Sequence, residues 1–350
     1  APGFARALLE SPCGRARLFR RTLTAVLREI ERATPIPVAL IEELRAQRPD
    51  VLVLTPLVVL RTSQLDLLRA ARHLGIPTVF AVASWDHLSS KGLLHDLPDR
   101  VLVWNDVQRE EAEWLHQVPA DRIVVTGAQV FDEWFDREPS RNRDAFCRMV
   151  GLRPDRPYVL YVGSALFEGS PNEAQFARRW IEVVRARREL ADAGILVRPH
   201  FKRGDEWASL EQAAIPNVRV WPPLGEAPVD AGSRATYVDS LSHAAAVVGI
   251  NTSALIEAAI RSKPVLTVLL PEFYANQEGT LHFRYLSEGP PPLLHAARDL
   301  DAHAAQLADV LTGADPDPDR SRRFVRHFVR PGHPDKPATL NVVETIEAAA

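Results

Sequence analysis

Val247-Val248-Gly249-Ile250-Asn251-Thr252-Ser253-Ala254-Leu255-Ile256-Glu257-Ala258 is the stretch on which the reading of the fold turns. An apolar run closes on a glycine, a polar turn follows, and a helical run begins at once. A strand that feeds directly into a helix is the building unit of a parallel α/β sheet. The junction leaves backbone N–H groups at the helix start without intrahelical partners. With the positive end of the helix dipole, they favour a phosphate or diphosphate. Asn251, Thr252 and Ser253 are therefore candidate diphosphate contacts, and Glu257, one turn on, is a candidate acceptor for sugar hydroxyls. The same residue types are also ordinary helix caps, and a glutamate in the first turn suits the dipole without any ligand. The other strand ends must decide.

Working outward, short β-branched runs alternate with longer helical stretches along the chain. Strands are expected at 51–55, 78–83, 101–104 and 123–126, then at 158–162, 195–198, 218–220, 246–249 and 265–269. Helices are expected at 63–73, 106–116, 144–150, 173–191, 237–244, 255–261, 299–311, 321–330 and 340–348. This predicts an α/β protein of two Rossmann-like βαβ domains facing a central cleft. The first spans 1–140 and the second 155–335, joined by the Pro- and Arg-rich linker 136–157. The helix at 340–350 is expected to pack back on the first domain. The chain starts at Ala1 without a methionine, a hint of processing, trimming or a fragment, and with only about four strands readable the first domain is expected to be incomplete at its N-terminus.

Composition narrows the function classes. The chain has 350 residues, 46% hydrophobic and 25% charged, which suits globular domains with their own cores. Its net charge of −3 offers no global field for nucleic acid. Nearly all of its 42 basic residues are arginine, the better bidentate partner for phosphate. Cys13 and Cys147 suggest neither a disulfide framework nor a zinc site, so a reducing compartment is expected. No apolar run approaches the ~20 residues that a membrane span needs.

Ligands of open α/β sheets sit beyond the carboxyl ends of the strands. Gly163 and Ser164 follow one strand, as a close approach to phosphate or a plain tight turn. Arg198-Pro199-His200 follows the next, where proline ends the strand and leaves Arg198 and His200 at its edge. Arg198 can pair with a diphosphate and His200 can donate a hydrogen bond or a proton. Trp221 reads as packing, and Asp239 and Ser242 as solvent-facing or capping. Gln277, Thr280 and His282 lie on a long polar-aromatic loop, 271–283, as candidates for sugar hydroxyls or phosphate oxygens. In the first half, Ser84-Trp85-Asp86-His87-Leu88-Ser89-Ser90-Lys91-Gly92 directly follows a strand. Asp86 beside His87 can supply a general base for an acceptor hydroxyl. Trp85, Lys91 and Asn105 are candidate acceptor contacts. The run Asp315-Pro316-Asp317-Pro318-Asp319 reads as solvated linker after a Pro-rich loop at 289–292. Near the N-terminus, Leu23, Val26, Leu27 and Ile30 share a helical face with arginines around it. That pattern fits a domain's own surface helix or a peripheral contact with an anionic membrane.

The motifs at 84–92, 161–164 (Tyr-Val-Gly-Ser), 197–200 (Val-Arg-Pro-His) and 249–258 (Gly-Ile-Asn-Thr-Ser-Ala-Leu-Ile-Glu-Ala) together resemble glycosyltransferases of the GT-B architecture. The likeness is to bacterial surface-polysaccharide enzymes related to CDP-glycerol glycerophosphotransferases and non-hydrolysing UDP-N-acetylglucosamine 2-epimerases. It implies a nucleotide-diphosphate sugar as donor in the second domain, held by Gly163, Ser164, Arg198, Asn251, Thr252, Ser253, Glu257, Gln277, Thr280 and His282. It implies a glycan or glycolipid hydroxyl acceptor in the first domain, catalysis by Asp86, His87 and His200, and no metal or other cofactor. Phe201-Lys202 stands where glycerophosphotransferase relatives show His-Pro, so glycosyl transfer is expected over phosphoglycerol transfer. The expected place is the cytoplasm, with the inner face of the membrane as a variant of it. A 2-epimerase or glycerophosphotransferase of the same fold, and a catalytically silent nucleotide-sugar-binding protein, are the alternatives.

Overall fold

The computed structural model describes residues 7–8, 10–59, 62–289 and 291–350. Ala1, Pro290 and the side chain of Cys13, on which readings above fall, lie outside the described residues. Two wholly parallel sheets form. The first holds β1 (Leu52–Leu54), β2 (Thr78–Ala81), β3 (Arg100–Val103) and β4 (Ile123–Val125) in that spatial order. The second holds β5 (Tyr158–Val162), β6 (Gly194–Arg198), β7 (Val218–Val220), β8 (Ala246–Gly249), β9 (Val265–Val268) and β10 (His295–Ala297), in the order β10-β9-β8-β5-β6-β7. The chain moves outward from β5 to β7, then returns to lay β8 on the other side of β5. The crevice at that reversal, beyond β5 and β8, is where such a sheet offers a ligand site.

The second sheet is buried on both faces, as its unbroken apolar strands require. Tyr158, Leu160 and Val162 point into one core and Val159 and Tyr161 into the other. The first of these cores is shared between the domains. Trp85, Trp104, Phe131 and Trp134 from the first half pack there with Phe324, Phe328 and Val329. After Arg330 the chain crosses back. The Asp132 carboxylate accepts from Arg330 Nη2 at 2.6 Å, from the Ala338 amide at 3.0 Å and from the Thr339 amide at 2.7 Å. It thereby seats the helix Ala338–Ala349, whose Val342 packs against Val79, Ala81 and Leu102 of the first sheet.

Several local expectations need correction. The edge strand β10 was not expected, because His295-Ala296-Ala297 lacks the β-branched residues that mark a strand. The loop 271–283 is largely helical, with a 3-10 turn Pro271–Asn276 and a helix Leu281–Ser287 that carries His282. The helix expected at 173–191 stops at Ala186, and that expected at 237–244 begins at Ala231 under a capping box from Asp230. Asp315 is not solvated linker, since its carboxylate lies 3.7 Å from His295 Nε2 with both side chains under 10% exposed. Asp239 is fully buried and binds the linker, accepting from the Ser140 amide and hydroxyl at 2.6 and 2.8 Å. Among the described residues no helix is long and apolar enough to cross a membrane.

Candidate active site in the interdomain cleft

A cleft pocket of about 370 Å³ brings together Trp85, Asp86, His87 and Lys91 from the first domain with His200, Asn251, Thr252, Ser253 and His282 from the second. The strand ends make this possible. Ser84 and Trp85 follow β2, and the short helix His87–Ser90 comes next. From the other side, the turn after β8 is fixed by Ser164, whose hydroxyl accepts from the Asn251 amide at 3.2 Å. Trp85 bridges the two. Its Nε1 donates to Ser253 Oγ at 3.3 Å, and its ring meets His282 edge-on at 4.8 Å.

Charge is distributed unevenly across the cleft. Asp86 is partly buried, which raises its pKa. Hydrogen bonds from Lys91, Ser84 and Ser90, with the Lys91 charge, more than reverse this and bring it down to about 2. Lys91 Nζ lies 2.8 Å from the carboxylate and Ser84 Oγ donates at 2.6 Å. Asp86 is thus an anion with saturated oxygens and a weak base. His87 and His282 lie near it, and His200 lines the same pocket. Burial lowers the pKa of His87, His200 and His282, and the nearby Asp86 charge opposes this only in part for His87 and His282. All three are neutral at pH 7. The Nδ1 atoms of His87 and His282 are buried without a hydrogen-bond partner, whereas His200 Nδ1 accepts from the Lys202 amide at 3.2 Å.

Arg198 is the contrasting case. It ends β6 and is 5% exposed, yet its guanidinium has no ion pair or hydrogen bond among the described residues. It lies between Trp221 and Tyr237, 5.4 and 5.2 Å from their ring centres. Burial lowers its pKa, opposed by Tyr237 and Glu226, and a guanidinium stays charged in proteins. Glu226 gives it a counter-charge only from beyond ion-pair distance, which leaves the guanidinium's hydrogen-bonding capacity open to an anion. Beside it, Tyr237 donates to Glu257. Burial raises the Glu257 pKa to about 7, against that bond and the Arg137 charge.

At the start of the helix Ala254–Ile260 fewer donors remain than expected. The Leu255 amide donates to Thr252 O, and those of Ile256 and Glu257 to Ser253 O. The amides of Thr252 and Ser253 have no protein partner among the described residues.

Other expected contacts are spent on structure. Asn105 is 1% exposed, caps the helix Asp106–His116 through the Gln108 amide and donates to Phe328 O at 2.7 Å, so it is a strut between domains. Gln277, also 1% exposed, donates to Ile250 O, Thr267 Oγ1 and Val268 O, clamping β8 to β9. Thr280 donates to Gln277 O. Gly163 touches no cleft space; a Cβ there would stand 2.7 Å from the His200 amide nitrogen. Ser164 is fully buried, its amide donating to Glu173 Oε2 at 2.8 Å. A polar residue after a strand has to satisfy the turning backbone before it can serve a ligand. Sequence reasoning missed Glu173 and Glu111, buried carboxyls whose pKa burial raises to about 7 against their hydrogen bonds. Glu111 also joins the domains, accepting from Tyr285 OH at 3.1 Å. It missed Asn276 too, which lines the pocket and accepts from the Phe167 amide. Glu173 looks like an ordinary first-turn glutamate after its cap Asn172, and Glu111 like one more charge on an exposed helix.

No protein-family model matches the sequence, and no curated protein sequence matches it. Solved structures do. A UDP-GlcNAc 2-epimerase from Neisseria meningitidis, bound to UDP-GlcNAc, aligns with a TM-score of 0.59 at 13% identity over 89% of this chain and 80% of its own. A glycosyltransferase from Rickettsia africae gives 0.56 at 9% identity over 89% and 79%. The fold is of the GT-B type. The UDP-GlcNAc 2-epimerase of Methanocaldococcus jannaschii, in complex with UDP-GlcNAc and UDP, agrees at 0.55, with 14% identity over 89% and 79%. At these identities the likeness concerns the fold.

Proposed function

We propose that this GT-B cleft binds a nucleotide-diphosphate sugar and transfers its glycosyl group to a hydroxyl acceptor of surface glycan or glycolipid type, in the cytoplasm. The observation that carries this is Arg198, a buried guanidinium at the end of β6 with no ion pair and with its Nη1 unpartnered, Glu226 acting on it only from a distance. Fixed donors aimed where charge develops stabilise a leaving diphosphate without rearrangement. In this reading Arg198 and the Thr252 and Ser253 amides meet the diphosphate, and neither a metal nor another cofactor is required for that task. Glu257 accepts from a sugar hydroxyl.

His87 is the better base than Asp86. It is neutral, its Nδ1 is unpartnered, and Asp86 beside it favours the imidazolium once formed. The acceptor oxygen, held by Trp85 and Lys91, bonds to the anomeric carbon as the bond to the diphosphate breaks. The acceptor proton passes to His87, and His200 and His282 line the opposite wall. The epimerases among the similar folds are named for UDP-GlcNAc, and such sugars are the first donors to try.

The test is a melting-temperature screen with UDP, CDP, GDP, ADP and TDP, followed by the matching sugars with and without hydroxyl acceptors. Stabilisation by one diphosphate and acceptor-dependent release of it are expected. Conversion of donor alone would reassign the cleft to epimerisation. Binding without turnover would make the protein a carrier, and no binding would end the proposal.

A further inference from the structure

The helix Arg17–Ala33 carries Phe19, Leu23, Val26, Leu27 and Ile30 on one face, since steps of three and four residues return to the same side. Arg17, Arg21 and Arg28 recur along the opposite side. None of these side chains joins a core cluster among the described residues. Val26, Leu27 and Ile30 are 49, 55 and 60% exposed, and Leu18 beside them 77%. An apolar stripe of this kind on a protein surface marks a contact. Charge indicates with what. Residues 15–32 contain six arginines against two glutamates, although the chain as a whole is net negative.

The helix is placed beside the cleft. Near its end Glu31 Oε2 accepts from His95 at 2.9 Å, and Thr34 O accepts from Arg69 at 2.7 Å. There it adjoins a hollow of about 260 Å³ lined by Leu57, Val59 and Leu93. Leu93 is 61% exposed and lies two residues from Lys91, which lines the cleft.

We propose that this helix lies on an anionic lipid surface, its apolar face in the acyl boundary and its arginines toward the headgroups, with Leu93 and the first-domain lip of the cleft turned to the same surface. A second copy of the helix on this face would bring arginine clusters together and is disfavoured. The inference does not depend on the proposed reaction, because its readout is lipid binding.

The test is flotation of the full chain with vesicles of phosphatidylcholine alone or mixed with phosphatidylglycerol. Binding is expected to the mixed vesicles only, and to weaken in high salt. Leu27→Asp with Ile30→Asp, and separately Arg17→Glu with Arg21→Glu and Arg28→Glu, should each lower it about tenfold or more. The melting temperature should stay unchanged, because no core contact is lost. Three outcomes would overturn the proposal: no flotation, equal flotation with neutral vesicles, or binding indifferent to both variants. A dimer that Leu27→Asp with Ile30→Asp dissolves would give the face to a second copy instead.

Discussion

The two lips of the cleft handle charge in opposite ways. On the first-domain side Asp86 has its oxygens filled by Ser84, Ser90 and Lys91, so that lip is neutralised from within. On the second-domain side Arg198, which is not among the residues lining the pocket, is more deeply buried and has no ion pair, only the more distant Glu226 charge. Internal neutralisation holds side chains in place, whereas a charge without an ion pair invites an ion from outside. In the proposed function anion binding therefore falls to the second domain, and the first domain works through its neutral imidazole.

The largest effect should come from breaking that imidazole. His87→Gln should lower kcat about a thousandfold, within the range of general base catalysis, while the donor KM stays put. Steady-state kinetics decide it, and a raised donor KM with intact kcat would reverse the assignment of the two lips.

Buried carboxyls come next. Glu173 accepts from Ser164 and Tyr161, but its burial dominates and lifts its pKa to about 7. The folded state holds this proton to higher pH than the unfolded chain does. Its contribution to stability is therefore full below about 4.5 and lost as pH rises through about 7, roughly 3 kcal/mol in all. Glu111 and Glu257 act in the same window. Denaturant melts across pH 4.5–8 of wild type and Glu173→Gln should differ by a term that falls with pH in the wild type alone, over and above the rise that the buried neutral histidines give both proteins. An unchanged slope would mean that Glu173 ionises normally.

Asn105→Ala separates structure from chemistry. It should cost about 2 kcal/mol, from a lost cap and a lost contact to Phe328 O, with kinetic constants unchanged. A shifted acceptor KM would restore Asn105 to the site. Smallest is Trp85→Phe, which removes one long hydrogen bond to Ser253 and part of a buried ring, and should cost about 1–2 kcal/mol in a urea titration. A larger loss would make the tryptophan a principal tie between the domains.

Much of the fold was legible because its signals are local. The strands 158–162, 218–220 and 246–249 are β-branched or aromatic runs stopped by Gly or Pro, and they end where the structure ends them. β10 was invisible because an alanine pair pairs only when a neighbouring strand is already there. The cleft residues Asp86, His87, His200 and Asn251–Ser253 were legible as polar clusters after strands. The same rule wrongly recruited Asn105 and Gln277, because a residue that satisfies a turning backbone looks in sequence like one awaiting a ligand. What no sequence pattern carries is partnership. That Asp86 is saturated and Arg198 without an ion pair depends on residues from separate elements, Lys91 and Ser84 in one case, Trp221 and Tyr237 in the other.

Arg198→Met tests the central claim most directly, with calorimetric titration of whichever nucleoside diphosphate stabilises the wild type. Affinity should fall about a hundredfold, as a desolvated charge contact is lost, while the melting temperature of the ligand-free variant holds or rises because an unpaired buried charge is gone. Unchanged affinity, or a ligand-free protein that unfolds at lower temperature, would contradict the account and make Arg198 part of the scaffold.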